Sequence, residues 1–512
     1  MSLEEKVGQI LMVHFHGEVV NQDAKSLIQE TKVGAIIYYN WSNGLTSPSQ
    51  VKILSKELQK LAQENRVPIP LLIATDQEGG VVTRLAHVTS FPGNRALGET
   101  SDTNLAMLSA LAMGEELSAV GINMNLAPVV DINSNPKNPV IGVRSFGESA
   151  ETVIAFGEKA LEGFNRAGVV TTLKHFPGYG DVSVDPHEEL PIIHKSKAEL
   201  EKVELLPFAT LASSSDAIMT AHILVPALDS ENCSTLSEKS LNYLRNVIGF
   251  QGVIVADSLV MDGVLKTCKS VDEASIRALN AGCDLLILGG KLLGGEHKGF
   301  ELTTEDIQRV HRSIVQAVKN GRIPEAKLNR AVERILLLKE RRLHANTSSS
   351  NINRSEHQKL AQKIASLSLK VKKKQSDTSF PLDNQKILLI APEILRTNLE
   401  KTSLFRIGKS IDAYFFNTLS PTNDEIDLAK KQATSADVIV ICSYNAWKNR
   451  SAIGLTQSLL NTSKPVIILS VRDPLDSSLF PDADLIFTSF SPTLPSLEAI
   501  CDQLKKFKNH LQ

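Results

Sequence analysis

Residues 169–191 read VVTTLKHFPGYGDVSVDPHEELP, a short apolar run that passes directly into a cluster of polar side chains. The β-branched residues of VVTTL predict a buried strand. Lys174 and His175 stand at its end, and the glycines and prolines that follow are typical of a tight turn. The stretch therefore predicts a strand that delivers charged groups to its own carboxyl end.

Seven other short apolar runs alternate with amphipathic stretches of helical periodicity. They are VGQILMVHF from Val7, VGAIIYY from Val33, PLLIATD from Pro70, INMNLAPVVD from Ile122, AIMTAHI from Ala217, GVIVAD from Gly252 and DLLIL from Asp284. Eight strands that alternate with helices over about 330 residues predict an α/β fold of the (β/α)8 TIM-barrel type rather than an open sheet.

Polar side chains also stand where other predicted strands end. With the pair named above, these residues are Asp76, Asp131, Lys174, His175, His222 and Asp257. In such a barrel the carboxyl ends of all eight strands meet at one mouth, where active sites lie. We therefore expect these side chains to share one site.

The length of 512 residues exceeds what one core usually supports. We predict a barrel over residues 1–343, a linker with a helix over 344–380, and a smaller α/β sandwich over 381–512. The sandwich strands are KILLIAP from Lys386, AYFFN from Ala413, DVIVICSY from Asp437, PVIILSV from Pro465 and DLIFTSF from Asp484, and they predict a parallel sheet. The basic KVKKK stretch before them is interpreted as solvated linker charge rather than a nucleic-acid patch.

The composition excludes several classes of partner. A net charge of -2 indicates neither a nucleic-acid partner nor a membrane surface. The five cysteines are scattered without CxxC spacing, which argues against a disulfide framework or structural zinc. The N-terminus lacks the basic region of a signal peptide, and no run reaches the roughly 20 apolar residues of a membrane span. We expect a soluble, cytoplasmic protein, or a secreted or lipid-anchored one if a leader has been removed.

Three segments contain polar residues that support more than one interpretation. Asp257 ends GVIVAD, where a carboxylate can act as nucleophile, general base or metal ligand, or can cap the next helix. Asp76 and Arg84, in TDQEGGVVTR, have the chemistry that recognises sugar hydroxyls, or form an ion pair between loop residues. Arg144, in IGVRSFG, is either a ligand clamp or a structural arginine.

The segment VDPH contains an acid–base pair. In extended backbone, positions i and i+2 project to the same side, and Pro186 favours extended geometry at Asp185. Asp185 and His187 can therefore pair. Such a pair fixes the tautomer of the imidazole and supports acid–base catalysis near neutral pH.

A metal site is the alternative use of the histidines. His175, His187 and His222 with Asp257 would supply enough ligands, but none of them has the i, i+4 spacing of HExxH sites. The GYG turn is no phosphate loop, because it lacks a third glycine and a following helix. We expect no metal and no cofactor.

Six segments, in this order, resemble glycoside hydrolase family 3 and specifically its bacterial β-N-acetylglucosaminidase branch. They are DQEGGVVTR, NLAPVVDI, IGVRSFG, KHFPGYGDVSVDPHEELP, MTAHI and VIVADSLVMDG, and they run through most of residues 1–340. The KHFPG run with a downstream Asp-x-His is highly specific. The C-terminal block is similar to the α/β sandwich of the family's two-domain members.

The resemblance implies retaining hydrolysis. Asp257 would attack the anomeric carbon and form a glycosyl-enzyme, and His187, paired with Asp185, would protonate the leaving oxygen and then activate water. The positions implied to bind the sugar are Asp76, Arg84, Arg144, Lys174, His175, Met219 and His222. Two departures stand out: Tyr179 replaces a usual histidine, which changes the contact made there, and Pro186 replaces a common serine, which stiffens the loop.

The implied activity is removal of terminal N-acetylglucosamine from muropeptides or chitooligosaccharides by an exo-acting enzyme. A phosphorylase using the same residues is the neighbouring alternative, because a histidine acid carries no negative charge when deprotonated and would tolerate phosphate as acceptor. A β-glucosidase fits less well, since those members lack the Asp-x-His dyad. A sugar-binding protein would be expected to have lost Asp257 or His187, and a metal-dependent amidohydrolase would lose activity with a chelator.

Overall fold

The computed structural model describes residues 1–184, 190–291, 299–343, 352, 354–373, 382 and 385–506. The chain divides into two compact units. The first unit consists of Met1–Glu78, Val82–Thr89 and Ala106–Arg354. The second consists of Gly79–Val81, Ser90–Leu105 and the chain from Ser355 onward, so it includes a short excursion of the chain between the third and fourth strands.

The first unit contains a closed barrel of eight parallel strands that neighbour one another in sequence order. The strands are β1 Leu11–Val13, β2 Ala35–Ile37, β3 Leu72–Thr75, β4 Met124–Asn125, β5 Val170–Phe176, β6 Ala217–Thr220, β7 Val253–Ala256 and β8 Leu285–Ile287. Every residue of these strands is buried, as expected for parallel strands covered on both faces. The predicted TIM-type barrel is confirmed.

Helices follow most of the barrel strands. They span Leu3–Gln9, Gln22–Lys25, Asn40–Asn43, Pro48–Gln63, Thr103–Ala119, Ala150–Arg166, Lys197–Lys202, Leu206–Leu211, Glu238–Asn242, Asp262–Cys268, Val271–Ala281, Thr304–Lys319 and Glu325–Arg342. The first helix corrects one prediction, because the start of the run VGQILMVHF is helical and only Leu11–Val13 forms a strand. Ser2 and Glu5 form a capping box, which starts a helix that carries Val7 into the barrel core.

The second unit contains a six-stranded sheet in the order β11-β10-β12-β13-β14-β9. The strands are β9 Lys370–Lys373, β10 Lys386–Pro392, β11 Ser410–Phe416, β12 Val438–Ser443, β13 Val466–Ser470 and β14 Leu485–Thr488. Its helices span Asn94–Glu99, Ser355–Ser368, Arg396–Lys401, Asn423–Ala433, Arg450–Leu460, Asp476–Leu479 and Leu494–Lys506. Apolar clusters cover both faces of the sheet, which confirms a smaller α/β sandwich.

The basic stretch that we interpreted as linker charge is part of this sheet. Lys370–Lys373 form β9, which pairs antiparallel with β14, so the sheet is mixed and not purely parallel. The Lys370 and Lys372 side chains are exposed. Lysines on an edge strand oppose pairing with another chain. Because the strand is charged, the search for apolar runs did not predict it.

Among the described residues, no helix is both long and apolar enough to span a membrane. The roughly 20 consecutive apolar residues that such a span requires are not found in any described helix. This agrees with the hydropathy pattern of the sequence.

Candidate active site

The barrel places the predicted polar residues at the carboxyl ends of its strands. Asp76 follows β3 directly, and Asp257 follows β7 directly. His222 comes two residues after β6, and Lys174 and His175 lie near the end of β5. The pairing of β5 with β6 shifts between Leu173 and Phe176. The irregularity lies at Lys174 and His175, whose side chains contact Asp76 and Asp131 respectively.

Lys174 and Arg144 share a buried carboxylate. Lys174 Nζ lies 2.9 Å from Asp76 Oδ1 and 2.7 Å from Glu78 Oε1. Arg144 Nε and Nη2 donate to the two Glu78 oxygens at 3.0 and 2.9 Å, which is a bidentate pair. Arg144 therefore has at least a structural role, and Glu78 holds both cations in place.

The protonation states of this network follow from its charges. Burial acts to raise the pKa of Glu78, but Arg144 and Lys174 outweigh it and hold that pKa well below its usual range. Burial opposes charge at Asp76 too, and Lys174 and Arg84 again lower the pKa. The pKa of Lys174 is raised because its two carboxylate partners outweigh its burial. The network is thus fully charged near neutral pH.

Arg84 contacts both Asp76 and a pair of aromatic rings. Its Nη2 lies 3.5 Å from Asp76 Oδ2, which confirms the ion pair between loop residues. Its guanidinium also lies over the rings of Tyr39 and Trp41, at 5.9 and 5.3 Å from their centroids. These two rings stack at 4.4 Å with an angle of 15° between their planes. Stacked aromatic and guanidinium surfaces beside a carboxylate are well suited to a sugar ring and its hydroxyls.

His175 is oriented by Asp131. The ring Nδ1 lies 2.7 Å from Asp131 Oδ2, and Asp131 Oδ1 accepts the backbone N–H groups of His175 and Tyr179 at 3.2 and 2.7 Å. Because a carboxylate accepts, Nδ1–H donates and Nε2 remains free to accept. Arg144 Nη2 lies 3.4 Å from that Nε2. His175 therefore presents a fixed tautomer toward the arginine.

The turn after β5 positions Tyr179. Gly178 has a φ of +126°, and a Cβ on Gly180 would lie only 1.4 Å from the Ile132 carbonyl oxygen, so both positions require glycine. The Tyr179 ring meets His175 edge-on at 5.3 Å between centroids. Burial and the neighbouring charge of Asp257 raise the pKa of Tyr179 well above its usual value. The tyrosine thus lies between the His175 and Asp257 parts of the site.

Asp257 is half-buried and held at its backbone. Its N–H donates to Thr220 Oγ1 at 3.4 Å, and its Oδ1 accepts from the Ser258 N–H at 2.7 Å. Among the described residues, its second carboxylate oxygen makes no hydrogen bond. The next helix begins at Asp262 with Met261 at the N-cap, so Asp257 does not cap it. One oxygen is anchored and the other is available for chemistry.

His222 supports the same loop. Its Nε2 lies 2.9 Å from the Ser258 carbonyl oxygen and its Nδ1 lies 2.9 Å from Thr235 Oγ1. Since a carbonyl only accepts, Nε2–H donates to Ser258, and Nδ1 contacts the Thr235 hydroxyl, which also lies 3.0 Å from the Ala221 carbonyl oxygen. Both nitrogens of this fully buried ring are therefore engaged. The structure gives His222 a positioning role behind Asp257. The predicted Met219 lies within β6 and is buried.

The predicted acid–base pair falls outside the described residues. Asp185, Pro186 and His187 belong to the segment 185–189, so the roles assigned to them remain predictions from sequence. Leu190 is the next described residue, and Ile192 forms a β-bridge with Leu224 just after β6. His222 and His175 are committed to protein partners, which leaves the metal alternative without two of its four ligands in their present arrangement.

Comparison with known proteins decides the family. Residues 2–338 match the Glycosyl hydrolase family 3 N terminal domain. The chain belongs to glycoside hydrolase family 3. The predicted glycoside hydrolase is therefore confirmed, and its polar barrel mouth is the expected place for a family 3 active site.

Three relatives illustrate the breadth of the match. The chain is 33% identical to Beta-hexosaminidase A of Pseudoalteromonas piscicida over 465 residues, covering 84% of this chain and 74% of the relative. The solved family 3 β-N-acetylglucosaminidase of Paenibacillus sp. strain FPU-7 aligns with a TM-score of 0.89 and 35% identity, covering 99% of this chain and 97% of that one. Beta-hexosaminidase LpqI of Mycobacterium tuberculosis is 29% identical over 66% of this chain and 83% of its own length.

A fourth comparison concerns the fold alone. The solved beta-glucoside phosphorylase BglX aligns with a TM-score of 0.80 at 22% identity, covering 99% of this chain and 92% of that one. Hydrolases and a phosphorylase thus share this two-unit architecture. The choice between the two reactions depends on residues at the site and not on the fold.

Several groups that organise the site have no role in the sequence-based prediction. Glu78 was available from the pattern, because it stands two residues after Asp76 and so projects to the same side in extended backbone. Asp131 was recognised as a polar strand end, but its function in orienting His175 was not. Tyr39 follows β2, and the sequence pattern did not reveal it because its run is otherwise apolar.

The network around Glu78 predicts a large stability effect. Glu78→Gln keeps the shape but leaves Lys174 and Arg144 without their shared counter-charge, and breaking a buried pair costs about 3 kcal/mol or more. Because the pKa of Glu78 is lowered from 4.5, its contribution is complete above pH 5 and is lost as pH falls. The stability difference from the wild type should therefore shrink below about pH 4.5. Thermal unfolding at several pH values measures it.

Glu162→Gln is the matched control for this experiment. Glu162 pairs with Lys159 and Arg166 on the helix Ala150–Arg166, where all three side chains are partly exposed. Exposed pairs contribute little to stability, because solvent and salt screen their charges. Equal destabilisation in the two variants would contradict the account of Glu78.

Proposed function

We propose that the protein is an exo-acting, retaining β-N-acetylglucosaminidase that removes terminal N-acetylglucosamine from muropeptides or chitooligosaccharides. Its relatives include enzymes described as β-hexosaminidases and a β-N-acetylglucosaminidase that matches nearly the whole chain. The observation that carries the proposal is the half-buried Asp257 carboxylate at the barrel mouth. One of its oxygens is anchored, the other makes no hydrogen bond to a described residue, and an ion-paired set of polar groups lies at the same mouth.

Substrate binding follows from the network. A carboxylate such as Asp76 accepts hydrogen bonds from two neighbouring hydroxyls, while Lys174 and Arg84 can donate to sugar oxygens. These three side chains already contact one another. Their preorganisation lowers the entropy cost of binding, because little rearrangement is needed when the sugar arrives. Tyr39 and Trp41 supply an apolar surface for the ring.

In the first chemical step, the free oxygen of Asp257 attacks the anomeric carbon. The bond between that carbon and the leaving oxygen breaks as His187 donates a proton to the oxygen. The products are a glycosyl-enzyme ester on Asp257 and a neutral alcohol. Ser258 N–H donates to Oδ1 and stabilises the carboxylate, and His222 Nε2–H donates to the Ser258 carbonyl oxygen.

In the second step, neutral His187 removes a proton from water, and the water oxygen attacks the anomeric carbon. The ester bond to Asp257 breaks, so that N-acetylglucosamine leaves with its original anomeric configuration. The histidine returns to its protonated form and Asp257 to its carboxylate. Asp185 would orient the imidazole throughout, as Asp131 orients His175.

Phosphorolysis is the second candidate, because the proposed base is a histidine. A neutral imidazole does not repel a phosphate dianion, whereas a carboxylate base would. The mouth also holds three cations, Lys174, Arg84 and Arg144. Phosphate would replace water in the second step, and N-acetylglucosamine 1-phosphate would be released.

One assay tests both candidates. The full-length protein is incubated with N-acetylglucosaminyl-anhydromuramic acid or chitobiose, with and without phosphate, and the products are separated. Hydrolysis predicts free N-acetylglucosamine at the same rate in both conditions. Sugar 1-phosphate that forms only with phosphate would select the phosphorylase. Turnover of a β-glucoside but not of either N-acetylglucosaminide would overturn the proposal.

A further inference from the structure

A second group of polar side chains lies at the barrel mouth, beside Tyr39. His14 follows β1 directly, His16 comes two residues later, and Glu301 lies shortly before the helix Thr304–Lys319. One ligand atom from each of the three falls within 4.8 Å of the others. Within the part of the chain that the structure describes, no other group of three histidine, cysteine or carboxylate side chains brings its ligand atoms this close together.

His14 is the unexplained member of the group. Its side chain is 1% exposed, yet neither ring nitrogen makes a hydrogen bond of good geometry to a described residue; the Leu288 backbone is the nearest acceptor for the ring. Burial lowers the pKa of His14 to about 4 in spite of the neighbouring Glu301 charge. A buried polar group without a well-placed partner is costly, so this ring favours a ligand.

The two oxygens of Glu301 have separate partners. Oε2 lies against His16 Nε2 and 3.9 Å from His14 Nε2. Oε1 lies 3.1 Å from the ammonium of Lys291. A cation between the two imidazoles would therefore bind Oε2 alone, while Lys291 keeps Oε1. The lysine then orients the ligating carboxylate, as outer partners of metal ligands commonly do.

We propose that His14, His16 and Glu301 bind a divalent transition-metal ion of the zinc class. Two imidazole nitrogens and one carboxylate oxygen are a donor set that zinc favours, and a water molecule would complete the tetrahedron. Ligand atoms about 2.1 Å from a tetrahedral zinc lie about 3.4 Å apart. His14 must therefore move closer to Glu301 Oε2, now 3.9 Å away, and His16 must move away from that oxygen. His16, whose side chain is 56% exposed, is free to make that movement.

A cluster without metal explains only part of the geometry. Protonated His16 and Lys291 would both pair with Glu301 and satisfy its charge. That arrangement leaves His14 buried, 3.9 Å from the carboxylate and without a hydrogen bond of good geometry to any described residue. A metal ion satisfies all three side chains at once.

The site adjoins the proposed sugar-binding surface. The His14 ring meets the Tyr39 ring edge-on at 6.0 Å between centroids. Tyr39 stacks on Trp41, and Arg84 lies over both rings and pairs with Asp76. A metal that fixes His14 would therefore fix one side of the aromatic pair. It would act on the shape of the mouth and would take no part in breaking the glycosidic bond.

Direct metal titration tests this assignment without any measurement of activity. Full-length protein is treated with a chelator, dialysed and titrated with Zn²⁺ by calorimetry, and bound metal is quantified by elemental analysis. We expect about one Zn²⁺ per chain and a rise in Tm on binding. His16→Gln and Glu301→Gln should each raise the Kd about 100-fold or more and remove the rise in Tm. His194→Gln, which alters another exposed histidine, should change neither.

His16→Gln and Glu301→Gln should both fold, because His16 is half exposed and glutamine keeps the shape of Glu301. His14→Gln is less suitable, because His14 is buried. The absence of saturable Zn²⁺ binding would overturn the proposal. So would an unchanged Kd in His16→Gln and Glu301→Gln, or loss of binding in Asp257→Asn, which would place the metal at the reaction centre.

Discussion

Asp257→Ala is expected to lower kcat on an aryl β-N-acetylglucosaminide by about 10⁴-fold or more. The variant removes the oxygen that would form the glycosyl-enzyme, and no other carboxylate follows β7 directly. Substrate binding should change little, because Asp76, Lys174 and Arg84 contact one another and not Asp257. Initial rates and inhibition by free N-acetylglucosamine separate the two effects.

Asp262→Ala is the matched control for the nucleophile. Asp262 lies on the same loop, five residues on, at the first position of the helix Asp262–Cys268. Its loss removes only a favourable charge at a helix start, worth about 0.5 kcal/mol. A comparable loss of kcat in the two variants would show that loop damage, and not nucleophile removal, accounts for the Asp257 result.

His187→Ala is expected to act selectively on substrates with poor leaving groups. For a disaccharide, whose leaving alcohol must be protonated, kcat/KM should fall about 10³-fold. For a dinitrophenyl N-acetylglucosaminide, whose leaving group departs as a stable anion, kcat/KM should fall less than about tenfold. The ratio of the two losses, measured on the same preparation, reports the acid role directly.

The partner aspartate and a neighbouring histidine sharpen this test. Asp185→Asn should produce the same selectivity with a smaller amplitude, because it disturbs the orientation of the imidazole and leaves the acid in place. His194→Gln should leave both substrates unaffected, since His194 is exposed and has no proposed role. If both substrates lost the same factor in His187→Ala, the histidine would not be the general acid.

The barrel was predictable because its strands carry a strong local signal. Runs such as VVTTL and GVIVA are β-branched and buried, and each ends in a polar residue that has little reason to stand there unless it serves a site. Asp76, Lys174 and Asp257 were found in this way, and each lies at a strand end in the structure. The sandwich strands were found for the same reason, since five of the six are apolar.

The partners of these residues were harder to predict, because they come from distant parts of the chain. Lys174 meets Glu78 across 96 positions, and Asp131 meets His175 across 44. Whether His222 binds sugar or supports a loop depends on Thr235 and Ser258, which no local pattern connects to it. Edge strand β9 was not predicted, because its lysines were interpreted as the solvated charges of a linker.

Trapping the glycosyl-enzyme tests the central claim most directly. A slow N-acetylglucosaminyl donor with fluorine at C5 and a fluoride leaving group is incubated with the protein, followed by intact-mass measurement and peptide mapping. The account predicts a mass increase of one fluorinated sugar, located on Asp257, in the wild type and none in Asp257→Ala. Turnover of the donor without an adduct, or an adduct on another residue, would contradict the assignment of Asp257 as the nucleophile.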